Sequence, residues 1–252
     1  MLRQRYLDLH LYNNMGRAFE FRKARKMKRW SNMSKTFTRI GREIIIAVKE
    51  SGPDPSSNSR LRAIIQNAKA VNMPKDNIER AIKKASEKSS ENFKEVLLEG
   101  YAPHGIAILV EAATDNNNRT VANIRSYFNK CDGSLATSGS VDFLFDHLCF
   151  FQIKDHSIDI EKLELDLIDF GVIELSKLEN EISITARFED FGSIQKELER
   201  RGLEISSSEL EREAKINKTL TEDERLKVER LINMIDEDED VQNVYHDMKT
   251  ID

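Results

Sequence analysis

The apolar period of this 252-residue chain changes near residue 90, and that change limits the folds open to it. Before that point apolar residues recur every three to four positions. Beyond it, short β-prone runs alternate with further helical stretches. Residues 34–50, read at about 100° per residue, place Phe37, Ile40, Ile44, Ala47 and Val48 on one side of a helix. Gly52-Pro53 stops this helix, and Asp54-Pro55-Ser56-Ser57-Asn58 forms a turn that supplies capping residues. A second helix from about Ser59 turns Leu61, Ile64, Ile65, Ala68 and Val71 inward. It ends before Asn72-Met73-Pro74, because the residue ahead of a proline avoids the helical region. Pro74 suits the first turn of a third helix, whose inner face is Ile78, Ala81, Ile82 and Ala85.

After residue 90, residues 96–101 and 106–112 read as a hairpin around Ala102-Pro103-His104-Gly105. Residues 120–130 read as a helix with Val121, Ile124 and Phe128 inward, and 141–145 as a strand. Residues 149–154 (strand), 160–170 (helix), 172–175 (strand), 181–188 (strand), 191–201 (helix) and 203–208 (strand) then give the order βαββαβ of a ferredoxin-like unit. A capped helix opens at Thr221-Glu222-Asp223-Glu224, and 241–245 is a last strand expected to return to the hairpin sheet. The expected class is therefore α+β. A basic three-helix bundle with an N-terminal arm occupies 15–89. An α/β middle domain is split between 90–147 and 211–252, and a ferredoxin-like domain is inserted at 148–210.

Charge divides along the same line. Residues 1–90 carry 21 Lys and Arg against 8 Asp and Glu, whereas the rest carries 18 against 36. Such asymmetry points to a polyanionic partner at the basic end. On the first helix Lys35, Arg39, Arg42 and Lys49 fall opposite the apolar stripe, so a basic stripe is expected to face out and track phosphates. Ile46 sits within that basic face, as an exposed contact residue or as a sign that the helix is buried on two sides. Arg62 and Lys69 lie beside the second helix's stripe. Lys75 opens the third helix, and its Arg80, Lys83 and Lys84 point away from the core. Upstream, Arg17, Arg22, Lys23, Arg25, Lys26, Lys28 and Arg29 are interleaved with Phe19, Phe21 and Trp30. That mixture suits an arm that orders on nucleic acid, the bland reading being a solvated tail with its aromatics against the first helix. Residues 1–14 form a short amphipathic lead (Leu7, Leu9, Leu11), and Met15-Gly16 offers an internal start.

Several classes are excluded on composition. No apolar run approaches a membrane span and no signal-peptide pattern is present, so no membrane partner and a cytoplasmic location are expected. Cys131 and Cys149 read as reduced, buried thiols. The five histidines lack ligand spacing and no nucleophile–base pair stands out, so neither metal, cofactor nor enzymatic activity is expected. The run Asp236-Glu237-Asp238-Glu239-Asp240 reads as a solvated acidic turn, because it lacks the spaced oxygen ligands and glycine of a calcium loop.

The segment Asn72-Met73-Pro74-Lys75-Asp76-Asn77-Ile78-Glu79-Arg80-Ala81-Ile82 resembles the signature of the YebC/PmpR family of probable transcriptional regulatory proteins. The resemblance continues through Glu99-Gly100-Tyr101, Thr114-Asp115-Asn116, Gly133-Ser134-Leu135, Gly139-Ser140-Val141 and Val241-Gln242-Asn243-Val244-Tyr245-His246, and so covers most of the chain. It departs at Gly16-Arg17-Ala18-Phe19, where the family's commoner opening is Gly-His-Ser-Lys-Trp, and at Asp132, where a glycine is common. The resemblance implies a three-domain arrangement and a regulator that binds DNA through its basic end. The family's mitochondrial relatives, translational activators of cytochrome oxidase, imply a ribosome-associated factor that binds ribosomal or transfer RNA with the same end. The Tyr245-His246 pair is expected to lock the final strand or a domain interface. On this reading, reversing Lys35, Arg39 and Arg42 to Glu weakens nucleic-acid binding and leaves the fold intact. A fragment ending near Lys88 should keep most of the non-specific affinity for labelled duplex DNA or RNA; finding that affinity in the acidic remainder instead would overturn the layout.

Overall fold

The computed structural model describes residues 33–87, 92–154, 158–178 and 181–249. It is an α+β protein with three N-terminal helices and two antiparallel sheets. The helices are α1 (Met33–Ser51), α2 (Ser59–Ala70) and α3 (Lys75–Ser86). Gly52 takes φ +87° where α1 stops, a conformation that suits a residue without a Cβ. Asn58 caps α2 by accepting the Leu61 N–H at 2.9 Å, and its amide donates to the Ala47 and Gly52 carbonyls at 2.8 Å. One buried side chain therefore ties the end of α1 to the start of α2. Pro74 stands at the N-cap of α3, one place ahead of the expected first turn. The three expected stripes converge, with Ile40, Ile44, Leu61, Ile64, Ala68, Ile78 and Ala85 in one core. Ile46 is 5% exposed, so α1 is buried on two sides.

The first sheet has the order β3-β1-β2-β8, built from β1 (Lys94–Tyr101), β2 (Ala107–Thr114), β3 (Ser134–Leu135) and β8 (Val241–His246). The hairpin between β1 and β2 turns through His104 and Gly105, both at positive φ. The last strand pairs antiparallel with β2, as expected. Helices α4 (Asn117–Lys130) and α7 (Glu222–Asp236) cover one face through Ile106, Ile108, Ile124, Phe128, Leu231 and Ile235. The capping box of α7, Thr221 with Glu224, forms as the spacing predicts. Asp132 keeps the turn after α4 by taking φ +55°, which Asp tolerates better than most residues.

Two local expectations fail. Helix α4 begins at Asn117 under an Asn116 cap; Thr120 is buried with its hydroxyl on Asp240 and Thr114, and Val121 lies in a groove on the outer face beside Arg125. Residues 142–144 form a 3₁₀ turn where a strand was expected. The cause is Glu99, 3% exposed, whose carboxylate accepts the N–H groups of Gly139, Val141 and Asp142 at 2.6, 2.6 and 2.9 Å. Amides committed to a carboxylate are lost to a strand ladder. Burial pushes the Glu99 carboxyl up, but these N–H groups together pull it below its ordinary value.

The second sheet comprises β4 (Phe145–Lys154), β5 (Val172–Leu178), β6 (Glu181–Arg187) and β7 (Ile205–Ala214) in the order β5-β6-β4-β7. Helices α5 (Ile160–Leu167) and α6 (Phe191–Arg200) pack on it around Phe151, Ile153, Leu163, Ile184 and Leu198. Strands β4 and β7 are longer than expected and pair from Ile153↔Ile205 to Phe145↔Ala214. The base of this two-stranded ribbon packs on the other face of the first sheet, where Val141 and Phe145 meet Ala107, Leu109 and Tyr245. Arg212 of β7 donates to Glu111 at 3.0 Å and to Asp142 at 2.6 Å, which pins the ribbon.

Gly100 shows how tightly the first sheet meets α4. A Cβ there would lie 2.6 Å from the Phe128 ring and 2.7 Å from the Ser134 carbonyl oxygen. Gly100→Ala should therefore lower stability by about 1–3 kcal/mol, read as an earlier urea midpoint by circular dichroism. An unchanged midpoint would show that the ring moves aside at no cost.

Candidate nucleic-acid interface

The cations of the helical segment divide into two sets. The stripe expected to face outward on α1 is turned inward, and the structure corrects that expectation. Lys35 and Arg39, one turn apart, both reach Asp236 at the C-terminal end of α7. Arg39 donates from Nη2 to the Asp236 carboxylate at 2.9 Å and to its carbonyl at 3.0 Å, and from Nε to the Val241 carbonyl at 3.0 Å. Lys35 donates to the same carbonyl, with its Nζ 3.4 Å from Asp236 Oδ2. A helix C-terminus has unpaired carbonyls and the negative end of its dipole, so it is a natural seat for two cations. One turn on, Arg42 donates to Asp240 Oδ1 at 3.0 Å and to the Ala113 carbonyl at 3.1 Å, while its guanidinium lies 5.0 Å from the Phe93 ring centroid.

The acidic run is correspondingly not a solvated turn. Asp238 and Asp240 are 8% and 3% exposed. Asp240 also accepts from Arg119 at 2.9 Å and from Thr120 at 2.7 Å, and Asp238 accepts from Tyr127 at 3.0 Å. Burial pushes the Asp240 carboxyl up, but Arg119, Thr120 and Arg42 pull it below its ordinary value. Asp236 is drawn down in the same way against burial by Arg39 and Lys35. Both runs were read from local pattern alone. The signal that joins them is complementarity: cations at i, i+4 and i+7 of α1 facing the aspartates at 236 and 240, four positions apart.

Arg62 is a second inward cation. It donates from Nε to Glu199 of α6 at 2.7 Å, and to the Ser56 carbonyl at 3.2 Å. Beside it, Asn67 donates to the Ser208 carbonyl at 2.5 Å and accepts the Ser208 N–H at 3.0 Å, so α2 covers the edge strand β7 of the second sheet.

Arg60 is half-buried between Glu50 and Glu95, and the other described cations of this segment face out. Lys49, Lys69, Lys75, Arg80, Lys83 and Lys84 are exposed. Lys69 closes α2, Lys75 opens α3 with a 3.2 Å pair to Glu79, and Arg80, Lys83 and Lys84 run along the outer side of α3. Arg17, Arg22, Lys23, Arg25, Lys26, Lys28 and Arg29 lie outside the described residues. Cys131 and Cys149 are buried free thiols, and burial pushes Cys149 up to about 12.

Two consequences can be measured. Asp240→Ala takes the carboxylate away from Arg42, Arg119 and the buried Thr114 and Thr120 hydroxyls and should cost about 3–5 kcal/mol of stability. Because both carboxyls sit below their ordinary values when folded, their stabilisation is present above about pH 4 and lost as pH falls through the depressed values. The melting temperature should therefore fall steeply on acidification below pH 4, and Asp240→Asn should flatten that part of the curve. Charge reversal of Lys35, Arg39 and Arg42 also cannot leave the fold intact, since it sets three anions against Asp236 and Asp240.

Residues 17–88 match the family model described as the TACO1/YebC protein N-terminal domain, and residues 93–248 match the TACO1/YebC second and third domain. A relative from Flavobacterium johnsoniae is 67% identical over 235 residues, covering 93% of this chain and 99% of its own. Relatives from Porphyromonas gingivalis and Myxococcus xanthus are 58% and 48% identical, each over 93% of this chain and over 98% and 100% of their own. All three bear the name probable transcriptional regulatory protein. A crystal structure of a conserved hypothetical protein from Aquifex aeolicus aligns with a TM-score of 0.70 at 36% identity, covering 86% of this chain and 90% of that one.

Proposed function

Since the chain belongs to the TACO1/YebC family, we propose that it is a nucleic-acid-binding regulator of gene expression that grips DNA through its basic N-terminal helices. The observation that supports this reading is the set of solvent-exposed cations at the α2–α3 corner and along α3, distinct from the inward cations that Asp236, Asp240 and Glu199 engage. Each exposed Lys or Arg neutralises a phosphate and releases condensed counterions, which binds any backbone of suitable shape. The names of the curated relatives support a role in transcription. In this reading the basic arm at 17–30 extends the grip, and the chain works as three domains: 15–89, 90–147 with 211–252, and 148–210. It acts in the cytoplasm as a binding protein rather than an enzyme.

One observation favours a second reading, a translation factor on structured RNA. The outward side of α3 offers Arg80, Lys83 and Lys84 among acids such as Asp76 and Glu79, with no set of amides to read base edges. Phosphate tracking without base readout suits ribosomal or transfer RNA as well as DNA. Crosslinking in growing cells, followed by sequencing of bound DNA and bound RNA, separates the two. Crosslinks at a few promoters support the transcriptional reading; crosslinks concentrated on ribosomal or transfer RNA replace it with the translational one.

Both readings share the interface, which is tested on the purified chain. Reversing Lys69, Arg80, Lys83 and Lys84 to Glu should weaken duplex binding at least tenfold. It should also flatten the slope of log affinity against log salt by about 3–4, at about 0.9 per phosphate contact. A folded variant with unchanged affinity and slope would place the interface elsewhere.

A further inference from the structure

Helix α5 is apolar on two sides. Leu163 and Leu167 are buried in the core of the second sheet. Leu165 and Ile168, on the opposite side, are 71% and 54% exposed. Past the Gly171 turn, Ile173 at the start of β5 is 56% exposed. Single exposed aliphatics are ordinary, but Leu165 and Ile168 stand one turn apart on the same outward side, with Ile173 five residues further on in the edge strand. Core packing does not explain them, since each faces away from the cluster its neighbours fill.

The surroundings say what fits. Glu161, Glu164, Leu165 and Ile168 fall at i, i+3, i+4 and i+7, so the outward side of α5 is half carboxylate and half aliphatic. Glu161, Glu164 and Asp169 are exposed. Lys162 is the lone cation in α5, and Asp166 is engaged by Arg201 at 2.7 Å. Strand β5 is an edge of its sheet, but its register shifts between Val172 and Glu174. Such a bulge blocks the addition of a further strand. The surface is thus suited to side-chain docking rather than strand pairing, and its acidic rim repels an anionic membrane or nucleic acid.

The geometry points to a protein-docking surface on α5 and the start of β5, whose partner is a basic amphipathic helix presenting leucine-like side chains flanked by lysines or arginines. This role is independent of the α2–α3 interface. It gives the acidic part of the chain its own partner while the helices hold nucleic acid.

The test uses the full chain and a labelled synthetic helix of leucines and lysines in amphipathic order. Binding is followed by fluorescence anisotropy, and the site is located by hydrogen exchange. The peptide should protect α5 and the start of β5, and affinity should fall at least tenfold in a Leu165→Ser/Ile168→Ser variant. A peptide of equal charge with its leucines replaced by serine should bind at least tenfold more weakly. Because Leu165 and Ile168 are exposed, the variant should keep its melting temperature; Glu161→Gln/Glu164→Gln provides a second variant that should weaken binding and reduce its salt dependence. Protection elsewhere, or equal affinity for the double serine variant, overturns the proposal. Sedimentation showing a dimer that the serine variant disperses would also overturn it, by assigning the patch to a second copy.

Discussion

The arrangement of this protein depends on cations of α1 gripping the C-terminal end of α7 and the turn after it. Arg39 alone makes three hydrogen bonds there, two of them to the backbone carbonyls of Asp236, at the end of α7, and Val241, at the start of β8. Asp240 gathers Arg42, Arg119 and Thr120 around one buried carboxylate. A charge held out of water needs this many partners, because removing any one leaves the others desolvated. The helical segment is thereby fixed to the first sheet at one end, while Arg62 and Asn67 hold it to the second at the other.

That grip decides which cations stay at the surface. In the linear sequence the basic third is one undivided excess of positive charge. In the fold, part of the excess neutralises the acidic remainder and part is displayed on α3 and the end of α2. The protein's near-neutral overall balance hides both an internal ion-pair seam and an outward basic surface. The two have opposite physical requirements. The seam is shielded from solvent ions because it is buried, whereas the surface is hydrated and screened by salt.

Local structure was legible wherever one residue type enforces it. Gly52-Pro53, Asn58, Pro74 and the Thr221/Glu224 pair each stop or start a helix at or within one place of the expected position. The return of β8 to the hairpin sheet also followed from the pattern. What escaped was direction. A helical wheel assigns Arg39 to the side opposite Ile40 and Ile44 but cannot say whether that side meets water or another element. Ile46 carried the missing hint, since an isoleucine amid cations is misplaced on a solvated face. The Glu99 carboxylate was missed for a related reason: its partners are backbone amides 40 residues away, which leave no side-chain signature. Val121 was misplaced because the polar Thr120 takes the inward position in line with Ile124 and Phe128, its hydroxyl held by Asp240.

The partners in the α1 grip are separated by 197 to 202 residues. Such contacts close late, because the entropy of so large a loop must be overcome before they form. During synthesis the three helices can assemble their own core as soon as they emerge, yet Lys35, Arg39 and Arg42 have no aspartates to meet until residues 236–240 follow. A nascent chain of this protein is therefore more cationic at its surface than the finished one. Completion of the fold acts as a sorting step that withdraws one set of charges and leaves the other on display.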